Sequence, residues 1–419
     1  MKFPAAVPLR GGEAYPRSRA IDTLRAVAIL LVIGCHFAVA PASAGAFAPL
    51  AEAWHRVGWA GVDLFFVLSG FLVSGLLLGE FRRRGRVDVP RFLIRRGLKI
   101  WPLYFAYLGF LAAWLAWKSP DGRMTAVGAL WPNLLHLQNY LGSPRIHTWS
   151  LALEEHFYLL GAVAAGWFLT AGREAVVRRW FFPAVGVAIA ALAVTRSVEY
   201  ATHGPASLNL YATHLRFDGL LVGTALAYLV HFEPTRLAGL RRHPFATTVL
   251  GAAMAIPMML LPPDRSPWTA GPGLAVMYLG FAFVVIGVVW LEEGSARRLF
   301  AGRSLGALST VGVFSYGIYL WHVDLAQTPM KKVGALLASR DWSDAMVWLL
   351  VTGAYLALAI AAGAVLSRLI EIPMLVLRDR CYPSADRAEV GHAPARPIES
   401  HAPTIAGARA RCRTARLLE

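Results

Sequence analysis

Ten apolar segments of bilayer-crossing length recur along this sequence, near residues 21–41, 60–79, 99–117, 148–170, 180–196, 213–231, 246–262, 270–291, 309–328 and 344–370. A hydrocarbon core about 30 Å thick is crossed by roughly 20 apolar residues in a helix. In lipid, a spanning segment must satisfy its own backbone hydrogen bonds, and a helix does so within one segment. The expected fold is therefore all-α: a polytopic integral membrane protein of about ten transmembrane helices around a polar cleft. Composition agrees, since 57% of residues are hydrophobic and only 16% charged, against about a quarter charged in soluble proteins.

The net charge of +16 raises the question of nucleic acid. Its distribution answers it. With the N-terminus inside, 29 of the 41 lysines and arginines fall on cytoplasmic segments, as the positive-inside rule requires. The basic charge reads as topology, with both termini cytoplasmic and no nucleic-acid partner. The segment "KKVGALLASRDW" breaks the rule and leaves the boundaries near 329–343 the least defined. The first apolar run is long for a signal peptide and carries Arg25, Cys35 and His36, so cleavage is not expected. Cys35, Cys381 and Cys412 offer neither an external disulfide pair nor metal-ligand spacing. Residues 1–20 read as a cytoplasmic N-terminal segment, 21–378 as the membrane domain, and 379–419 as a basic, disordered cytoplasmic tail of Ala, Pro, Arg and Ser.

Ionisable residues inside such segments are expensive, about 2.5–3.5 kcal/mol each at mid-membrane on insertion scales, and so point to function. In "RAVAILLVIGCHF", Arg25 and His36 are eleven positions apart. Eleven steps of about 100° return to within roughly 20° of the start, so both face one side, about 16 Å apart along the axis. Asp63 stands at the outer mouth of the second segment, either a helix-start carboxylate or the partner of a buried Arg or His; Ser69 lies mid-span, where small residues also permit close helix approach. Arg91, Arg95 and Lys99 fall at i, i+4 and i+8 with Arg96 beside them, a stripe suited either to lipid headgroups or to the phosphates of a cytoplasmic cosubstrate. No Walker loop, dinucleotide glycine motif or HEXXH pattern is present.

The fourth segment opens "HTWSLALEEHFYLL", where Glu154 and Glu155 point about 100° apart and are expected to do different jobs. Glu155, Trp149, Asp218, Tyr316, His322 and Glu371 form a polar set at segment ends, each readable as acceptor-binding or as structural. An internal ion pair is the favoured account of Glu371. The stretch 131–150 is expected at the outer mouth, shaping an acceptor site or anchoring at the interface.

Taken in order, "IDTLRAVAILLV" with R-x10-H, "GVDLFFVLSGFL", "RFLIRRGLKIWPLY", "WSLALEEHFYL", "RFDGLLVG", "SYGIYLWH" and "EIP" resemble the acyltransferase family 3 membrane proteins over about residues 18–378. The resemblance implies ten core helices, a bacterial cytoplasmic membrane location, and transfer of an acyl group from acyl-CoA to a hydroxyl. The acceptor would be a sugar, cell-envelope glycan or glycosylated natural product. No tightly bound cofactor or metal is implied; acyl-CoA is a cosubstrate. His36 would act as general base, with an acyl-imidazole intermediate as the less favoured variant. Arg25 would face the donor thioester, or else form a structural pair with Asp63, Glu154 or Glu371. Asp63 and Glu154 join the catalytic set, and Arg91, Arg95, Arg96, Lys99 and Ser69 the donor site. No fused hydrolase-like domain is visible, so transfer is expected to be completed by the membrane domain. The competing reading is a proton-coupled transporter of sugars or organic anions, which also uses intramembrane Arg, His and Glu. It predicts related halves, and no motif recurs at a constant interval.

Overall fold

The computed structural model describes residues 18–37, 40–118, 122–169, 172–340 and 342–383; the tail from 384 and Cys412 lie outside the described residues. Among these the secondary structure is helical, with no strand. The longer elements are α1 (Arg19–His36), α2 (Phe47–Gly58), α3 (Ala60–Arg84), α4 (Val89–Lys118), α5 (Gly122–Leu134), α6 (Trp149–Phe168), α7 (Glu174–His203), α8 (Asp218–Phe232), α9 (Pro244–Met259), α10 (Leu274–Glu293), α11 (Arg303–Val313), α12 (Ser315–Trp321), α13 (Thr328–Ala338), α14 (Asp344–Leu366) and α15 (Ile372–Cys381).

Among the described residues five helical stretches are long and apolar enough to cross a membrane: α3, α4, α7, Thr269–Glu293 and Asp344–Cys381. The remaining apolar segments carry helix too, but shorter or interrupted. The ninth is broken into α11, α12 and a π-turn at His322–Gln327, and α13 follows in the stretch where the charge rule faltered. Two more π-turns, Thr269–Gly273 and Ser367–Glu371, open α10 and join α14 to α15. Such turns insert an extra residue into the helical ladder and concentrate at functional sites. Helix α15 runs to Cys381, past the boundary at 378 expected from composition, and its end is bonded to α4. Cys35 and Cys381 are free.

The core is one continuous apolar cluster drawn from α1, α3, α4, α6, α8, α10, α12 and α14. Helix α1 runs through its middle against α2, α3 and α11. Its start is capped by the Ser18 hydroxyl, which accepts from Ile21 N, and is tied to the end of α10 by Glu292, which accepts from Arg19 N at 2.8 Å. Its other end, His36, thereby has a fixed depth. Helix α8 lies close on α3 because Gly223 has no side chain: a Cβ there would stand 2.6 Å from Phe71 N. Close approach through small residues is the usual way helices pack in lipid.

Candidate active site

Two layers of polar residues meet inside the bundle. The inner layer surrounds a cavity of about 110 Å³ lined by residues of α1, α3, α4, α6 and α12. Its charged and polar lining comprises Arg25, Arg96, Lys99, Glu154, Ser69 and Tyr158, with Ser150, Tyr316 and Tyr319 at other points of the wall. The hydroxyl of Tyr158 donates to Glu154 at 2.8 Å and lies 2.9 Å from the Ser69 hydroxyl, while Arg96 sits 4.9 Å over the Tyr158 ring. Among the described residues Arg25 has no carboxylate within 4.0 Å, so the expected alternative of a pair with Asp63, Glu154 or Glu371 is not what the structure holds. Three cations thus face a space with one carboxylate. An anion is the species such a lining accommodates.

The basic stripe divides. Arg95 pairs with Asp379 at 3.1 Å and also donates to Tyr382 O, and Arg91 donates to Pro383 O, all at the end of α15. Arg96 and Lys99 turn into the cavity instead, and the Nε of Arg96 is buried without a partner. The expectation of one continuous phosphate-binding face is corrected accordingly: only its inner pair lines the cavity. Glu371 is buried on the π-turn Ser367–Glu371 and, among the described residues, has no cation within ion-pairing distance, which corrects the expected internal pair.

The two adjacent glutamates separate as anticipated. Glu154 enters the cavity, whereas Glu155 accepts from Trp101 Nε1 at 3.1 Å. Tyr316 donates to Ile100 O at 2.9 Å on the cavity wall.

The outer layer is built around His36. Its Nδ1 lies 2.8 Å from Val32 O. A carbonyl only accepts, so Nδ1 carries the proton and Nε2 keeps the lone pair in the neutral ring. The backbone carbonyl of His36 is held by the side-chain amide of Gln327. Two further imidazoles converge on it: His322 at a ring-centroid distance of 4.9 Å and His147 at 6.3 Å, with 5.4 Å between those two. The Tyr319 hydroxyl donates to His147 O and meets the Ser150 hydroxyl at 2.6 Å. Because Tyr319 and Ser150 also line the cavity, this hydroxyl pair is the wall between the two layers.

Arg145, from the loop before α6, grips Asp324 of the His322–Gln327 turn at 2.5 Å, and Tyr107 donates to the same carboxylate at 2.7 Å. His147, at the head of "HTWSLALEEHFYLL", and Arg145, Tyr107, Tyr319, Asp324 and Gln327 carry no site role in the sequence reading. The available signal was an unpaired external arginine and an aspartate two residues after His322.

Asp63 does not line the cavity. It is fully buried, 2.6 Å from Arg216 and 2.7 Å from the Tyr278 hydroxyl, which realises the alternative of a partner for a buried arginine. Asp218 likewise pairs with Arg196 at 2.6 Å, both fully buried. Trp149 packs edge-on to Phe66 at 5.7 Å with Arg216 above it. These residues form a lattice beside the site. The outer stretch holds a strained position at His136 (φ 55°), stacked on Tyr104; burial pushes its imidazole pKa down to about 4. Among the described residues no group of three or more His, Cys, Asp or Glu side chains is arranged to hold a metal.

An all-helical fold, five membrane-length helices among the described residues, and a cation-lined cavity beside a cluster of three imidazoles define a membrane protein with an enzyme-like interior. Residues 18–368 match the family model described as "Acyltransferase domain" (acyltransferase family 3), and the chain belongs to that family. It is 28% identical over 335 residues to a putative peptidoglycan O-acetyltransferase of Bacillus subtilis, covering 75% of this chain and 50% of that protein. It is 26% identical over 335 residues to peptidoglycan O-acetyltransferase OatA of Listeria monocytogenes, with coverages of 75% and 50%. A putative O-acetyltransferase of Staphylococcus aureus (strain COL) is 27% identical over 337 residues, covering 75% of this chain and 52% of that one. The chain spans about half the length of these curated relatives. No solved structure matches.

Proposed function

We propose that this chain is a membrane O-acyltransferase that moves an acetyl or other short acyl group from acyl-CoA to a hydroxyl of a carbohydrate, envelope glycan or glycosylated small molecule. The names of its relatives make peptidoglycan the first acceptor to try. In this reading ten helices cross the bacterial cytoplasmic membrane with both termini inside. The observation that carries it is the succession of the two layers: Arg25, Arg96 and Lys99 around the cavity, then Tyr319 and Ser150, then His322 and, beside it, His36.

The donor enters from the cytoplasmic side, its phosphates drawn by Arg96 and Lys99, and its thioester advances past the Tyr319–Ser150 wall. The acceptor hydroxyl meets Nε2 of His36, which takes its proton as oxygen attacks the thioester carbon. The C–S bond breaks, and the His36 imidazolium returns the proton to the departing thiolate. Imidazole suits both directions because its ordinary pKa lies near neutrality. Asp63, paired to Arg216, sets the packing of α3 against α8 in this scheme.

The test uses purified protein in proteoliposomes with radiolabelled acetyl-CoA and solubilised peptidoglycan, followed by longer acyl donors and other glycans. Label passing to a glycan hydroxyl and released by mild base supports the reading. Uptake of label or glycan across the bilayer without transfer would replace it with a transporter.

A further inference from the structure

The π-turn His322–Gln327 touches His36 twice, and the general-base reading leaves both contacts without a task. Gln327 donates its amide to the backbone carbonyl of His36, the last residue of α1, where a helix leaves carbonyls unsatisfied. His322 places its ring edge-on to that of His36, at 4.9 Å and 80°. The His322 ring is fully buried, and its Nδ1 lies 2.7 Å from Tyr319 O, so Nδ1 holds the proton. Its Nε2 therefore carries a lone pair, and among the described residues it has no hydrogen-bond partner. A buried acceptor without a donor is disfavoured and asks for an explanation.

We propose that His322 is the positioning residue of His36: fixed by the π-turn, its neutral imidazole holds the His36 ring in place and faces the positive charge that ring acquires on taking the acceptor proton. The proton itself passes from the hydroxyl to His36 Nε2 and on to the thiolate sulfur, so no net charge is left behind. Asp324 anchors the turn from its far side through Arg145 and Tyr107. The extra residue of a π-turn lets one short segment send His322 and Gln327 to α1 while Asp324 points to the outer loop.

This inference rests on the general-base reading, so His36→Ala is measured alongside. Proteoliposomes containing wild type, His36→Ala, His322→Phe, His322→Gln or Gln327→Leu receive labelled acetyl-CoA and solubilised peptidoglycan, with thermal unfolding recorded for each. His322→Phe keeps a ring of similar size without the lone pair. It should lower kcat about 100-fold, the scale of a small misplacement at a reacting centre, and leave both KM values within about twofold. His322→Gln, which retains an acceptor oxygen, should recover about a tenth of the lost kcat. Gln327→Leu should lower kcat about 10-fold by the same route.

Wild-type kcat in His322→Phe or in Gln327→Leu overturns the proposal. So does equal failure of His322→Phe and His322→Gln with a lowered unfolding temperature, which marks a packing role. If His36→Ala also retains turnover, the general-base reading itself has failed. Loss in His36→Ala with full activity in His322→Phe removes only this inference.

Discussion

Neutralising single members of the basic stripe should separate donor binding from the packing of α15. Arg96 and Lys99 face the cavity, and the Arg96 Nε is buried without a partner. A charge-assisted hydrogen bond from such a group to a phosphoryl oxygen contributes about 1.5–3 kcal/mol, and about 1.4 kcal/mol is tenfold in an equilibrium constant. Arg96→Gln and Lys99→Gln should therefore each raise the KM for acetyl-CoA by about 10- to 100-fold, with the KM for the glycan unchanged. Arg91 and Arg95 have their bonds at Asp379, Tyr382 and Pro383 instead. Partly exposed pairs contribute about 0.2–1 kcal/mol, so Arg91→Gln and Arg95→Gln should change the donor KM by less than about fivefold. The assay is initial-rate transfer of label in proteoliposomes at varied acetyl-CoA. Equal effects at all four positions, or an unchanged KM in Arg96→Gln, would refute the division of the stripe.

Three other perturbations follow from the same geometry. Asp63→Asn leaves Arg216 buried without its counter-charge; loss of one partner of a buried pair costs about 3–5 kcal/mol, read as a lower unfolding temperature in detergent, and an unchanged temperature would contradict the pairing. Gly280→Val should separate α9 from α10, because a Cβ there stands 2.7 Å from Gly251 O and 2.8 Å from Ala255 N; overpacking of this kind costs about 1–3 kcal/mol, and wild-type stability would show that the helices do not meet there. Asp324→Asn weakens the anchors from Arg145 and Tyr107 and should lower kcat more than either KM; the opposite order would place Asp324 in substrate binding.

Local periodicity made much of this legible. The eleven-residue spacing of Arg25 and His36 put both on one face of α1, and the structure sends one to the cavity and the other to the imidazole cluster. The angle between Glu154 and Glu155 announced their separate surroundings. What hydropathy missed depends on tertiary contact. Tyr319 and His322 are three positions apart on one helical run, but His36 and His147 come from other elements, and nothing local to them says that their rings converge on His322. The i, i+4, i+8 rule placed Lys99 with Arg91 and Arg95, yet the end of α15 claims the outer two; that choice belongs to a segment nearly 300 positions away. The pairs Asp63–Arg216 and Asp218–Arg196 were legible only as charges in need of partners. The π-turn at His322–Gln327, HVDLAQ, contains neither Pro nor Gly to mark the break.

The most direct measurement compares wild type with His36→Ala at matched protein level and matched unfolding temperature, in vesicles given radiolabelled acetyl-CoA and glycan acceptor. Removing a general base typically lowers the rate by about 100- to 10,000-fold, and the account predicts a loss in that range with the donor still bound. Near-normal transfer by His36→Ala would contradict it.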